Sequence, residues 1–187
     1  MHLRLVTAFV AALAGCGALA VLAFAGRGDD SRSVKVTVRD ADGRSVGTVR
    51  LTERRGGRSV DVRASLRNVR PGFHGFHIHA VGSCERPSFQ SAKGHLTRGG
   101  QTHGDHAGDL PSLLVKRNRT ATLRVTTDRF TLDDLRDDDG SAVLVHAGPD
   151  NFANVPPRYA PNGPDQETLD TGDSGARVAC GEIARRR

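Results

Sequence analysis

With 187 residues, the chain has room for one domain with a sizeable core and an N-terminal appendage. It has no tryptophan, 4% aromatic residues and a formal charge of +6, and it carries no internal repeat or low-complexity tract; this is a basic globular protein, and a repeat array is excluded. A basic balance points to anionic partners, among them nucleic acid, an acidic membrane surface, a cell-wall polymer or a small anion. The arginines, however, are dispersed from Arg32 to Arg187 rather than gathered on one helical face, and only Arg185-Arg186-Arg187 forms a run.

The first segment reads as an export signal. Arg4 supplies a short positive region, the stretch from Leu5 to Ala25 is apolar or small, and Ala23-Phe24-Ala25 offers the small-x-small pattern for cleavage before Gly26. Residues 1–25 are therefore assigned to the signal, 26–32 to a polar linker and 33–187 to the domain. Two alternatives stay open. Leu13-Ala14-Gly15-Cys16 resembles a lipobox that would lipidate Cys16, although apolar residues continue past it, and the apolar stretch is long enough to remain as a membrane anchor. All three place the domain outside the cytoplasm.

Brief segments with period-two alternation follow, the pattern of half-buried strands. Val34, Val36 and Val38 alternate with Lys35, Thr37 and Arg39, Asp40-Ala41-Asp42-Gly43 makes a turn, and residues 46–51 return as a hairpin partner. Further strands are expected at residues 60–64, 76–80, 113–115, 121–125, 142–146 and 176–183, and one helical turn at 131–135. Many short strands with Gly- and Asp-rich turns imply an all-β antiparallel sandwich or barrel. Residues 83–109 and 148–175 do not read as strands, and loops of that length in a compact domain are often functional.

Cys84 and Cys180 are the two cysteines of the exported part, and an oxidising compartment favours their pairing over two separate buried thiols. Seven histidines follow the signal: His74, His77, His79, His95, His103, His106 and His146. In a strand, His77-Ile78-His79 puts two imidazoles on one face, a natural pair of nitrogen ligands for copper or zinc. His95, His103, His106 and Asp109 crowd one glycine-rich loop, and histidines with a carboxylate suit tetrahedral zinc. His146 lies in the apolar run Val143-Leu144-Val145-His146-Ala147 and gains interest only beside the other clusters.

These motifs resemble one family, the copper–zinc superoxide dismutases. Gly75-Phe76-His77-Ile78-His79 is similar to the family's copper-binding strand, Gly94-His95 to its bridging histidine, and His106-Ala107-Gly108-Asp109-Leu110 to the end of its zinc loop. Val145-His146-Ala147-Gly148 resembles the strand with the remaining copper ligand, and residues 172–181 resemble the C-terminal signature, in which an arginine precedes a disulfide cysteine by three residues. The matches run in family order from Val34 to Ile183.

The resemblance implies a Greek-key β-sandwich that uses two long functional loops to hold copper and zinc. Copper falls to His77, His79, His95 and His146, and zinc to His95, His103, His106 and Asp109. A disulfide joins Cys84 to Cys180, and Asp150 links the two metal sites through hydrogen bonds. His74 is structural. The catalytic residues are Arg177, which receives the superoxide anion, and His95, which exchanges a proton as copper changes oxidation state. The implied reaction converts superoxide to dioxygen and hydrogen peroxide. The rival reading is a non-enzymatic copper-binding protein on the same fold. Superoxide is the expected partner and nucleic acid is not; attachment through the N-terminus and a homodimer are both left open. Three departures stand out. Lys93 replaces a glycine, Leu96-Thr97 replaces an aromatic, and the loop between His95 and His106 is short, which places His103 in question as a zinc ligand.

Overall fold

The computed structural model describes residues 32–186, so the export signal and most of the linker lie outside the described residues. Among these, nine strands form: β1 (Ser33–Asp40), β2 (Ser45–Glu53), β3 (Val60–Arg67), β4 (Gly72–His74), β5 (Phe76–His79), β6 (Leu113–Val115), β7 (Thr120–Thr127), β8 (Ser141–His146) and β9 (Arg177–Ile183). Seven make a curled antiparallel sheet in the order β5-β8-β9-β1-β2-β3-β7, and β4 pairs with β6. The chain-distant pairings β1–β9 and β3–β7 are the mark of a Greek key and bear out the all-β antiparallel expectation.

Alternation sets which face each residue takes. In β3, Val60, Val62, Ala64 and Leu66 enter the core while Arg63, Ser65 and Arg67 face solvent. They meet Val36, Val49, Leu51, Phe76, Ile78, Leu113, Phe130, Val143, Val145 and Ile183 in one apolar cluster. The β1–β2 turn is closed by the Asp40 side chain, whose Oδ1 accepts from the Asp42 and Arg44 amides at 3.1 and 2.8 Å.

β8 is buried along its whole length. Val143 and Val145 enter the main core; Ala142 and Leu144 pack on the other face with Phe89, Ala92 and Cys180. The Cys84–Cys180 disulfide, with 5.8 Å between Cα atoms, ties the 83–109 loop over this outer face. Its 96-residue separation corresponds to roughly 4–5 kcal/mol in the chain-entropy model.

Three local expectations shift. The turn near 131–135 is a 3-10 turn at Asp134–Arg136, because Asp134 Oδ2 accepts from the Thr131 amide and hydroxyl at 2.7 and 2.9 Å and sets the start of the turn. A short helix, α1 (Gln166–Thr171), stands inside the 148–175 loop, capped by Asp165 accepting from the Thr168 amide at 2.9 Å. β4 forms where Pro71-Gly72 suggested only a turn.

Candidate metal centre

β5 positions the first two histidines. Phe76 and Ile78 occupy the core, so His77 and His79 emerge together on the opposite face. One edge of β5 pairs with β8; the other pairs with the 83–109 loop, through Ile78 N–H to Gly108 O (2.8 Å), Leu96 N–H to Ile78 O (2.8 Å) and Ala80 N–H to Gly94 O (3.0 Å). This pairing sets Asp109 across from His77 and His95 across from His79. The backbones approach so closely at Gly108 that a Cβ there would lie 2.1 Å from the Ile78 carbonyl oxygen, which excludes any other residue. On the β8 edge, His146 stands opposite Arg177 of β9, just after a bulge.

Three imidazoles are oriented by hydrogen bonds on the nitrogen that faces away from the cluster. His79 Nδ1 donates to Lys93 O at 2.8 Å and His146 Nδ1 to Gly175 O at 2.9 Å. Their Nε2 atoms then carry lone pairs that face each other at 3.3 Å, a repulsive arrangement unless a cation lies between them. His77 Nε2 donates to Asp150 Oδ2 at 2.6 Å, which leaves its buried Nδ1 with no partner. His95 completes a group whose ligand atoms all lie within 4.8 Å of one another. Four converging imidazole nitrogens suit copper in either of its common oxidation states.

The second cluster shares His95. Its Nδ1 is 3.0 Å from Asp109 Oδ1, 3.3 Å from His103 Nδ1 and 3.4 Å from His106 Nδ1. Asp109 Oδ1 is in turn 3.3 Å from His103 Nδ1 and 3.4 Å from His106 Nδ1. A tetrahedron with metal–ligand bonds of about 2.0–2.1 Å has edges of about 3.3–3.4 Å, so this spacing fits zinc. His77, His95, His103 and Asp109 offer donor atoms that all lie within 4.8 Å of one another, with His77 Nε2 bonded to Asp150, and His106 Nδ1 adds a further nitrogen 3.4 Å from both His95 Nδ1 and Asp109 Oδ1. Asp109 Oδ2 is fixed by the Gly104 and His106 amides at 2.7 and 3.0 Å.

Despite the short loop, His103 reaches the cluster. Gly104 turns the chain at φ +93, and the His103 amide donates to Leu169 O at 2.7 Å, which docks the loop on α1. Gly108, by contrast, serves through close approach rather than positive φ. Asp150 spans the two clusters, accepting from His77 on one oxygen and from His103 Nε2 on the other at 2.7 Å. Gly172 passes beneath this bridge at φ +62, and a Cβ there would lie 2.2 Å from His103 Nε2.

Electrostatics divide the clusters. Burial, with the neighbouring histidines adding to it, pulls His79 well below its ordinary pKa, His95 to about 4 and His146 to about 3, so these rings are neutral and have lone pairs to offer. Burial also pulls His103 down, but the Asp109 and Asp150 carboxylates outweigh it and raise the group to about 9. Asp109 and Asp150 lie below the usual carboxylate range: burial opposes this, and their histidine partners prevail.

Arg177 is half-buried and donates to Phe89 O at 2.7 Å and to Lys93 O at 2.5 Å. Lys93 O thus anchors both Arg177 and His79. Lys93 itself adopts φ 61 and ψ −152, backbone space that belongs to glycine, which explains why a glycine is expected there. His74 lies apart from the centre: its nitrogens face His146 O and Arg70 O, each at 2.7 Å. Sequence reasoning missed Arg129, which donates to Gly104 O at 2.8 Å and His106 O at 3.2 Å and holds the loop from outside. It also missed the carbonyls of Lys93 and Gly175, for which no side-chain signal exists.

Residues 45–183 match the family described as copper/zinc superoxide dismutase. A superoxide dismutase [Cu-Zn] of Mycobacterium tuberculosis is 43% identical over 169 residues, covering 82% of this chain and 70% of that protein. A SOD-like protein from Bacillus subtilis superposes with a TM-score of 0.67 at 30% identity, covering 80% of this chain and 97% of that one. The Cu/Zn superoxide dismutase from Brucella abortus gives a TM-score of 0.62 at 28% identity over 81% of this chain and 99% of its own.

Proposed function

The chain belongs to the copper/zinc superoxide dismutase family, and from that premise we propose that it disproportionates superoxide to dioxygen and hydrogen peroxide. In this reading copper is held by His77, His79, His95 and His146, and zinc by His95, His103, His106 and Asp109. The observation that carries it is the set of lone pairs left facing one another: His79 Nε2 and His146 Nε2 at 3.3 Å, with the unpartnered His77 Nδ1 beside them.

Copper bound there supplies the one-electron change in oxidation state that the reaction requires. The chain's own residues do the rest. Arg177 presents a permanent charge whose orientation is locked by its bonds to two carbonyls. A guanidinium has five N–H donors, so donors remain to receive a small anion. His95 turns Nδ1 to the zinc cluster and therefore Nε2 to the other histidines, and Nε2 is the atom at which a proton is held for the peroxide product. Asp150 keeps His77 and His103 in register. The Cys84–Cys180 disulfide supports an extracytoplasmic location, where such bonds persist.

A protein that only stores copper needs no oriented cation at the site, so Arg177 favours the enzyme. The test is superoxide decay followed by pulse radiolysis with copper- and zinc-loaded, disulfide-intact protein. Catalysed decay is expected, and Arg177→Ala should slow it by about 10–100-fold, the scale of a lost hydrogen bond to a charged group, with the copper spectrum retained. Full copper occupancy with uncatalysed decay would overturn the proposal.

A further inference from the structure

The strands β1, β2, β3 and β7 take no part in the metal centre, yet their solvent face is organised. The register sets Arg50 directly opposite Lys35 on one side and Arg63 on the other, and Arg63 opposite Arg124. Four exposed cations therefore stand in one row across four adjacent strands. At about 4.8 Å per strand the row is about 14 Å long. Like charges directly opposite one another destabilise a sheet, and this row contains three such contacts in succession.

Little among the described residues neutralises it. Asp61 lies 4.0 Å from Arg63 but bonds Arg54 more closely at 3.1 Å, and Lys35 and Arg124 have no carboxylate partner among the described residues. The rows on either side are mostly hydroxyls. Thr37, Thr48, Ser65 and Thr122 line up on one side; Ser33, Thr52 and Thr126 lie on the other, with Asp61 among them. Positive charge continues past Arg67 to the turn with Lys116, Arg117 and Arg119, which is joined to the end of β3 by Arg119 donating to Asn68 O at 2.9 Å. Residues 62–84 and 110–127 contain no aspartate or glutamate.

We propose that this face docks a linear anionic polysaccharide, whose regularly spaced carboxylates or sulfates lie along the cation row while its hydroxyls bond the flanking Ser and Thr rows. Charge complementarity argues for a polyanion, and the composition of the face selects among polyanions. The four strands contain no aromatic residue, so there is no platform on which nucleic-acid bases would stack. No large apolar side chain projects from their outer face to enter a bilayer. A second copy packed about a two-fold axis would set one cation row against another.

The test measures affinity for a heparin-type sulfated oligosaccharide across a salt series. It compares wild-type protein, the row variant Arg50→Gln/Arg63→Gln/Arg124→Gln, Arg63→Gln alone, and a control with the same charge loss elsewhere, Arg86→Gln/Arg158→Gln/Arg185→Gln. The row variant should bind at least about tenfold more weakly at about 0.1 M salt, with a log–log salt slope reduced by about three, one for each cation removed. Arg63→Gln should fall between it and wild type, and the control should keep wild-type affinity. Without the oligosaccharide, the row variant should melt higher than wild type, since the like-charge contacts are gone. Equal weakening in row variant and control would reduce the effect to bulk charge and overturn the proposal. So would binding of duplex DNA as tight as that of the oligosaccharide.

Discussion

The outer face of β5-β8-β9 and the outer face of β1-β2-β3-β7 follow the same alternation rule and end up opposite in character. On the first, the outward positions are His77, His79, Ala142, Leu144 and His146, all buried beneath the 83–109 and 148–175 loops. On the second they are Lys35, Arg50, Arg63 and Arg124 with serines and threonines, and nothing among the described residues covers them. The difference lies in the covering. A covered outward position loses water and must find other partners, so its polar groups meet carbonyls, carboxylates or metal. An uncovered one keeps its hydration and tolerates even a like-charge row.

The largest expected break in this contrast is His146→Ala. It removes a nitrogen from the covered cluster and should abolish superoxide turnover and weaken copper binding. Arg50→Ala, on the uncovered face, should leave turnover within about twofold. Stopped-flow superoxide decay and copper competition with a chelator check both; turnover surviving His146→Ala would remove that residue from the ligand set.

A smaller effect comes from Asp150, which touches both clusters without belonging to either ligand set. Asp150→Ala should lower metal affinity by about 10–100-fold, the usual scale for losing such an orienting bond. Because Asp150 bonds both His77 and His103, copper and zinc affinity should fall together. Loss of zinc alone would contradict a shared role.

The smallest effect is a pH dependence confined to the covered face. In metal-stripped protein His103 titrates near 9, raised above the value of about 6.5 in an unfolded chain. Its contribution to stability is complete below about pH 6.5 and is lost as pH rises through about 9. His95 and His146, lowered to about 4 and about 3, act in the opposite direction: the unfolded rings take up protons below about pH 6.5 while the folded ones do not, so stability falls as pH drops through that range. Melting temperature should therefore peak near pH 6.5 in stripped protein. Zinc should abolish the alkaline decline, because the metal takes the place of the Nδ1 proton whose loss causes it, while Nε2–H stays bonded to Asp150. A decline that persists with zinc bound would contradict the assignment.

The two faces were unequally legible in the sequence. Strand positions follow from alternation, since the valines of β1 and β3 have no other use, and the His77-x-His79 and His103-to-Asp109 spacings announce donors wherever the chain folds. What orients those donors was not readable. Lys93 O and Gly175 O are peptide atoms that any residue supplies, and the Asp150 bridge depends on Gly172 passing beneath it. α1 is too short for helical periodicity and is set by its Asp165 cap and the αL glycine at Gly172. Loop length alone cast doubt on His103, because counting residues does not register the turn at Gly104. The cation row was equally hidden: its members are dispersed in sequence and align only through strand register.

In the proposed centre two donor sets meet at one shared imidazole, and diffraction at the copper and zinc absorption edges from crystals of metal-loaded protein would locate each metal. Two separate anomalous peaks are expected, copper among His77, His79, His95 and His146 and zinc among His95, His103, His106 and Asp109, with His95 between them. A single peak, or zinc bound without His103 and His106, would contradict that arrangement.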